Sequence, residues 1–224
     1  MEKVSFAADN FLIAGNYWRS SNGKAVILAH MMPATKESFT PLAEKLAERG
    51  FGVLAIDLRG HGDSREKIYD GTTIPVSYHE FEEKDHVNSL QDLFVARDFL
   101  GEQGISADDI GVGGASIGAN FAIQYLADNP TCPYAFALSP GFNYHGAETL
   151  SYVRRTQPSQ FLHLIAAKND ESTPKTVFET EEIFTQTKAD KKITLYEEGG
   201  HGTDIFNIHP ECLEEIVTLV SAKV

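Results

Sequence analysis

The stretch Ile110-Gly111-Val112-Gly113-Gly114-Ala115-Ser116-Ile117-Gly118-Ala119-Asn120 decides the fold of this chain of 224 residues. An apolar run enters a glycine-rich pentapeptide, and apolar residues at helical spacing follow it directly. The pattern predicts a buried strand over Ile110–Gly113, a tight turn centred on Ser116 and a helix over Ile117–Asn129.

The Gly-x-Ser-x-Gly spacing has a steric reason. A serine raised on a strand-to-helix turn brings the residues two places before and after it close to neighbouring backbone, so both must be small. The turn lifts the hydroxyl of Ser116 above the sheet at the positive end of the following helix. Ser116 is therefore a candidate nucleophile, and the N–H of Ile117 is a candidate donor to an oxyanion.

Other glycine-rich loops fit this stretch less well. A dinucleotide-binding loop needs Gly-x-Gly-x-x-Gly, but Gly111 and Gly113 are followed by Ser116 at the sixth position. A P-loop needs Gly-Lys-Ser/Thr, which the stretch lacks. The pentapeptide alone does not exclude a glycine-rich turn without a catalytic role.

Strands and helices alternate on both sides of the serine. Further strands are predicted at Val4–Phe6, Leu12–Trp18, Ala25–Ala29, Gly52–Ile56, Tyr134–Leu138, Phe161–Ala167 and Lys192–Tyr196. Further helices are predicted at Ser38–Arg49, Asp85–Gly101, Lys175–Gln186 and Pro210–Ala222. This order predicts one α/β domain over residues 1–224, a mostly parallel twisted sheet of about eight strands with helices on both faces. The first two strands lack a helix between them, which predicts an antiparallel edge.

Two later strand ends supply partners for Ser116. Lys168-Asn169-Asp170-Glu171 follows one strand, and Glu197–Gly202, which contains His201, follows the last. Parallel sheets assemble their sites at these ends. A serine nucleophile needs a base, and the base needs a carboxylate that holds its tautomer, so we predict Ser116, His201 and Asp170 as a catalytic triad. Glu171 and Asp204 are the alternative carboxylates.

Four segments together resemble the α/β-hydrolase superfamily, and most of all its small dienelactone-hydrolase-like serine esterases. They are Leu28–Pro33, Asp57–Ser64, Gly114–Gly118 and Gly200–Gly202. The resemblance covers almost the whole chain and implies an α/β-hydrolase fold. A true dienelactone hydrolase has a cysteine nucleophile, so the serine argues against that particular activity.

The resemblance also assigns roles to the loop after Ala25–Ala29. In the family this loop reads His-Gly-x, and the N–H of x completes the oxyanion hole. His30 and Met32 match the histidine and x, while Met31 stands where the family has glycine. We expect Met32 and Ile117 to form the oxyanion hole and His30 and Met31 to contact substrate. The family's Asp-x-Arg-Gly-x-Gly-x-Ser loop, Asp57–Ser64 here, is expected to be structural.

The segment 140–160 is predicted to be a short lid or cap within the domain. It has room for a loop and at most one short helix, so a deep tunnel is not expected. Its aromatic side chains Phe142 and Tyr144 could line a shallow acyl pocket. The polar segment Lys67–Glu83 could form another wall of this pocket. Alternatively, its apolar residues could only pack over the sheet edge.

Charge and composition exclude several functions. Asp and Glu number 32 against 19 Lys and Arg, a net charge of −13. This disfavours nucleic acids and anionic membranes as partners, because both need a basic surface. The two cysteines lack CxxC spacing and the histidines lack metal-ligand spacing, so we expect no metal and no cofactor. If Met1 is the natural start, the lack of a signal-peptide pattern there predicts a cytoplasmic protein. Monomer and homodimer both stay open.

The sequence thus predicts a serine carboxylesterase that cleaves small-molecule acyl esters through an acyl-enzyme intermediate. A thioesterase, an amidase or a small peptidase would use the same triad. A non-catalytic binding module is the alternative from another class.

Overall fold

The computed structural model describes residues 1–223. All eight predicted strands are present, several with the predicted bounds, and four short strands accompany them. The strands are β1 Glu2–Ala8, β2 Phe11–Trp18, β3 Ala25–Ala29, β4 Gly52–Ile56, β5 Glu66–Tyr69, β6 Thr72–Pro75, β7 Ile110–Ala115, β8 Tyr134–Leu138, β9 Asn143–Tyr144, β10 Ala147–Glu148, β11 Phe161–Ala167 and β12 Asp190–Tyr196.

The helices also follow the predicted pattern, with one division. They are α1 Thr40–Glu48, α2 Glu83–Val87, α3 Leu90–Glu102, α4 Ile117–Asp128, α5 Leu150–Val153, α6 Thr176–Gln186, α7 Ile205–Ile208 and α8 Glu211–Lys223. The single helix predicted over Asp85–Gly101 is two helices. Reciprocal side-chain bonds of Glu82 and Asp85 cap the short α2, which ends before Asn88 and Ser89.

Ten strands form the main sheet, in the order β12-β11-β8-β7-β3-β4-β2-β5-β6, with β1 also paired to β2. The strands from β12 to β4 are parallel, and the pairs of β2 with β1, β4 and β5 are antiparallel. The prediction of a mostly parallel sheet with helices on both faces is confirmed. The antiparallel pair β1–β2 forms as expected, but β2 is not an edge strand, since β4 and β5 flank it.

The extra strands β5 and β6 form a hairpin in the polar stretch after the loop Asp57–Ser64, where no strand was predicted. Asp70 and Gly71 join them with φ of 48° and 75°, a conformation typical of two-residue hairpin turns. An Asp-Gly pair between residues that favour strands, here Tyr69 and Thr72, is a hairpin signal, so this hairpin could have been predicted.

The sheet is buried on both faces. Helices α3, α4 and α6 cover one face, and α1, α7 and α8 cover the other. The glycines of β7 make room for aromatic rings of β8: a Cβ at Gly111 would lie 2.1 Å from the Tyr134 ring, and one at Gly113 would lie 1.9 Å from the Phe136 ring. Packing of the two aromatic rings therefore requires glycine at both positions, whatever the role of the neighbouring serine.

Two buried ion pairs fix the loop Asp57–Ser64 at the end of β4. Asp57 accepts hydrogen bonds from the Lys36 amino group at 2.6 Å and from the Asp63 N–H at 2.8 Å. Arg59 donates to Asp92 through Nε at 2.9 Å. Both partners in each pair are buried, so removal of one would leave an uncompensated charge. The contacts give this loop the structural role that was expected of it.

No helix among residues 1–223 is long and apolar enough to cross a membrane. A location in the cytoplasm stays a prediction.

Buried histidines link the stability of the fold to pH. Burial lowers the pKa of His61 to about 3, with the nearby His30 adding to the effect. Burial likewise lowers the pKa of His163 to about 4, although Glu215 opposes the shift. Both imidazoles are neutral in the folded chain near pH 5, whereas the unfolded chain takes up protons below about pH 6.5. Their stabilising contribution is therefore present above pH 6.5 and is lost as the pH falls towards 4.

We expect the free energy of unfolding to decrease from pH 6.5 to pH 4.5. His163→Gln should reduce this slope by about 1 kcal/mol per pH unit between pH 5 and pH 6, measured by urea denaturation. His209→Gln is the control, because hydrogen bonding with Glu211 raises the pKa of His209 and its removal should not make the slope shallower. An unchanged slope in His163→Gln would contradict the prediction.

Candidate active site

Ser116 lies on a strained turn between β7 and α4. Its φ of 54° and ψ of −119° place it in a region that non-glycine residues rarely adopt. A Cβ at Gly114 would lie 2.0 Å from the carbonyl oxygen of Gly118, and a Cβ at Gly118 would lie 2.2 Å from that of Ala29. The two glycines thus allow the turn, and the N–H of Ser116 secures it by donating to Leu138 at 2.8 Å.

His201 and Asp170 meet above the carboxyl ends of β11 and β12. Nδ1 of His201 lies 2.6 Å from Oδ2 of Asp170. Asp170 is buried and also accepts hydrogen bonds from the Thr173 N–H at 2.9 Å and from the Thr176 hydroxyl at 3.1 Å. The carboxylate is therefore held in place by two further donors, and it holds the imidazole by one ring nitrogen.

The alternative carboxylates do not share this environment. Glu171 and Asp204 are both exposed, and neither side chain hydrogen-bonds to His201 in the described part of the chain. The geometry therefore separates Asp170 from Glu171 and Asp204, which strand-end reasoning could not do.

Ser139 supports the loop that carries His201. It follows β8 with a φ of 50° and is fully buried. Its hydroxyl accepts a hydrogen bond from the N–H of Gly202 at 2.9 Å, and its carbonyl accepts one from the Tyr144 hydroxyl at 3.2 Å. Ser139 was not among the predicted site residues, although its place directly after a parallel strand is a signal for a residue near the site.

Ser116 and His201 open on one cleft of about 230 Å³. The residues that line it are Met32, Ser116, Ile117, Tyr144, His145, Ser172, Thr173 and His201. Among residues 1–223, no protein acceptor binds the backbone N–H of Met32 or of Ile117. Both predicted oxyanion donors thus line the cleft with their N–H groups unengaged.

The residues expected to contact substrate divide between the cleft and its surroundings. Tyr144 lines the cleft. Phe142 does not, because its ring packs against Phe178 at 6.0 Å and against the core. Met31 faces a separate groove, where its sulfur contacts the hydroxyl of Thr203 at 3.9 Å. The structure thus places Phe142 and Met31 outside the lining of this cleft, and their contact with substrate stays a prediction.

His30 is also not a substrate contact in this structure, because it is fully buried. Its Nε2 accepts a hydrogen bond from the Leu58 N–H at 3.0 Å, so Nδ1 carries the proton that is donated to the Met31 carbonyl at 2.9 Å. Burial lowers the pKa of His30. The neutral ring of His30 therefore joins the loop after β3 to the loop after β4.

The segment 140–160 contains the β9–β10 hairpin and α5. Asn120 of α4 donates to the Ala147 carbonyl at 2.6 Å and accepts from the Gly141 N–H at 3.0 Å. Gln124, one turn along the helix, donates to the Glu148 carbonyl at 2.7 Å. The helix that follows Ser116 thus also anchors this segment; its role as a lid stays a prediction.

Comparison with known proteins establishes the family. The model of the α/β-hydrolase fold family matches residues 24–169, which is more than half of the chain, so the chain belongs to this family. The match includes Ser116 and ends before Asp170 and His201. Among curated proteins, no similar sequence was found.

Solved structures share the fold over nearly the whole chain. An esterase of Pyrococcus furiosus has a TM-score of 0.77 at 19% identity, covering 99% of this chain and 92% of its own. A dienelactone hydrolase of Anabaena variabilis has a TM-score of 0.71 at 18% identity, with 99% and 95% covered. The protein Est1E of Butyrivibrio proteoclasticus, solved with ferulic acid bound, has a TM-score of 0.77 at 15% identity, with 98% and 100% covered.

The short hydrogen bond between His201 and Asp170 should be detectable by proton NMR in the protein alone. We expect a proton resonance of His201 Nδ1–H far downfield of the backbone amides, because hydrogen bonds to a carboxylate deshield the proton. Asp170→Asn should move this resonance upfield, whereas Glu171→Gln and Asp204→Asn should leave it in place. One-dimensional proton NMR measures all three, and loss of the resonance in Glu171→Gln alone would contradict the assignment.

Proposed function

We propose that the protein is a serine carboxylesterase with Ser116, His201 and Asp170 as its triad. The observation that carries the proposal is the 2.6 Å contact between His201 and Asp170 beside a cleft that also contains the strained Ser116. A nucleophile, a base and an orienting carboxylate are the parts that acyl transfer requires.

The reaction would proceed in two steps. His201 accepts the Ser116 proton as the hydroxyl oxygen attacks the ester carbonyl, and the carbonyl oxygen becomes an oxyanion. The N–H groups of Met32 and Ile117 stabilise this oxyanion, each by roughly 3–4 kcal/mol. The C–O bond then breaks as His201 protonates the leaving alcohol. Water, deprotonated by His201, attacks the acyl-enzyme and releases the acid and free Ser116.

Asp170 orients the base throughout these steps. It keeps the Nδ1 proton of His201 on the side away from Ser116 and stabilises the imidazolium that forms. A thioesterase, an amidase or a small peptidase would use the same groups, and relative rates on an acyl ester, thioester and amide would separate them. A binding module without catalysis is the rival from another class, although none of the three triad side chains is missing.

The first test is the nucleophile. Wild-type protein should react with a fluorophosphonate probe and hydrolyse nitrophenyl acetate, and Ser116→Ala should do neither, because no hydroxyl remains to attack. Labelling followed by mass spectrometry identifies the modified residue. Full activity of Ser116→Ala on the activated ester would overturn the proposal, and failure of the wild type to label would favour the binding module.

The second test separates neighbouring carboxylates. Asp170→Asn should lower kcat on the order of 10⁴-fold, because the amide no longer enforces the reactive tautomer of His201. Glu171→Gln is the matched control one residue away and should retain kcat, since its side chain is exposed. Steady-state kinetics on nitrophenyl esters of two to twelve acyl carbons measures both. The opposite result would assign the role to Glu171.

A further inference from the structure

One wall of the cleft is polar where an apolar acyl pocket was expected. This polar wall consists of Tyr144, His145, Ser172 and Thr173, which come from the β9–β10 hairpin and from the loop after β11. Met32, Ile117 and the ring of Tyr144 supply the apolar part of the cleft lining in the described residues. The wall therefore offers hydrogen bonds instead of a slot for an alkyl chain.

His145 is held at the cleft with its ring nitrogens unengaged. It has a φ of 49°, a strained conformation for a residue other than glycine. The Asn143 side chain fixes the turn by accepting the Gly146 N–H at 2.7 Å, and the His145 ring packs on His86 with centroids 4.8 Å apart. In the described residues no protein group hydrogen-bonds to the His145 ring, so both nitrogens are available to a ligand.

The other half of the wall is tied to the triad. The Asp170 carboxylate that contacts His201 also accepts the Thr173 N–H at 2.9 Å. The Tyr144 hydroxyl lies 3.4 Å from the Thr173 hydroxyl, and its ring meets the His201 ring edge-on at 6.3 Å. The exposed Ser172 hydroxyl has no protein partner within residues 1–223. The polar wall thus adjoins His201, which protonates the leaving alcohol in the proposed mechanism.

This position indicates which part of the substrate the wall contacts. The leaving oxygen must come within hydrogen-bond reach of His201. The carbon atoms attached to that oxygen then lie against the polar wall. None of the described lining residues is Lys or Arg, and the chain carries a net charge of −13, so an anionic group has no fixed counter-charge there. A plain alkyl group would leave the wall's hydrogen-bonding groups without partners.

We propose that the enzyme takes acyl esters of small, uncharged polyols, with the free hydroxyl groups of the alcohol bound by Ser172, Thr173 and His145. This inference rests on the proposed esterase function and names its substrate class. The discrimination comes from the hydrogen bonds that a polyol forms with the wall and that a simple alcohol of the same length cannot form.

The test compares two esters with the same acyl group and the same alcohol length. Glycerol 1-acetate and propyl acetate differ in two hydroxyl groups, and the ratio of their kcat/KM values is corrected for their rates of alkaline hydrolysis. We expect a corrected ratio of at least about 10 in favour of the glycerol ester. Ser172→Ala and the isosteric Thr173→Val should each reduce that ratio about five-fold, with Glu171→Gln, exposed in the same loop, as the control that retains it.

Each outcome decides the proposal. A ratio near one with normal cleavage of propyl acetate would overturn the polyol preference and leave the esterase function in place. A high ratio that neither variant changes would overturn the assignment to the polar wall. Failure to cleave either ester, together with failure of Ser116 to react with the fluorophosphonate probe, would overturn the proposed function itself.

Discussion

The site depends on one steric constraint, the close approach of α4 to the backbone of β3 and β7. No Cβ fits at Gly114 or Gly118, since it would lie within 2.2 Å of a carbonyl oxygen in each case. The approach forces Ser116 into its strained conformation and turns its side chain out of the sheet. It also fixes α4, whose Asn120 and Gln124 anchor the hairpin segment. One packing requirement thus positions both Ser116, the proposed nucleophile, and part of the cleft wall.

Met31 occupies the place where related loops have glycine, and its side chain fits because the facing residue, Gly202, has no Cβ. A Cβ there would lie 2.6 Å from the Met31 sulfur. The Met31 side chain therefore faces the separate groove, while the next residue, Met32, lines the cleft. The methionine thus changes the packing behind the His201 loop, and the backbone N–H of Met32 has no protein acceptor among residues 1–223.

The fold was predictable because its determinants are local and periodic. Continuous apolar runs such as Ala25–Ala29 and Phe161–Ala167 identify buried parallel strands. Strand-end positions point to Ser116, to His201 and to a carboxylate, for which Asp170 was predicted with Glu171 and Asp204 as alternatives. The substrate contacts were less predictable, because they depend on side-chain direction across non-local packing. Phe142 and His30 follow strand ends that border the cleft. In the structure Phe142 packs against the core, and both ring nitrogens of His30 form hydrogen bonds with backbone groups. Neither outcome has a signal in the sequence.

The Asp170 carboxylate connects the two parts of the site that we assign to different tasks. Its Oδ2 lies against His201, and its Oδ1 accepts the N–H of Thr173, which belongs to the polar wall. A change in the position of the carboxylate would therefore move the base and the wall together. In the proposed mechanism, this coupling would keep the leaving-group contacts in register with the proton donor, so that an alcohol bound by the wall would also present its oxygen to His201. The proposed selectivity for the alcohol and the proposed protonation of the leaving group would then depend on the same buried carboxylate.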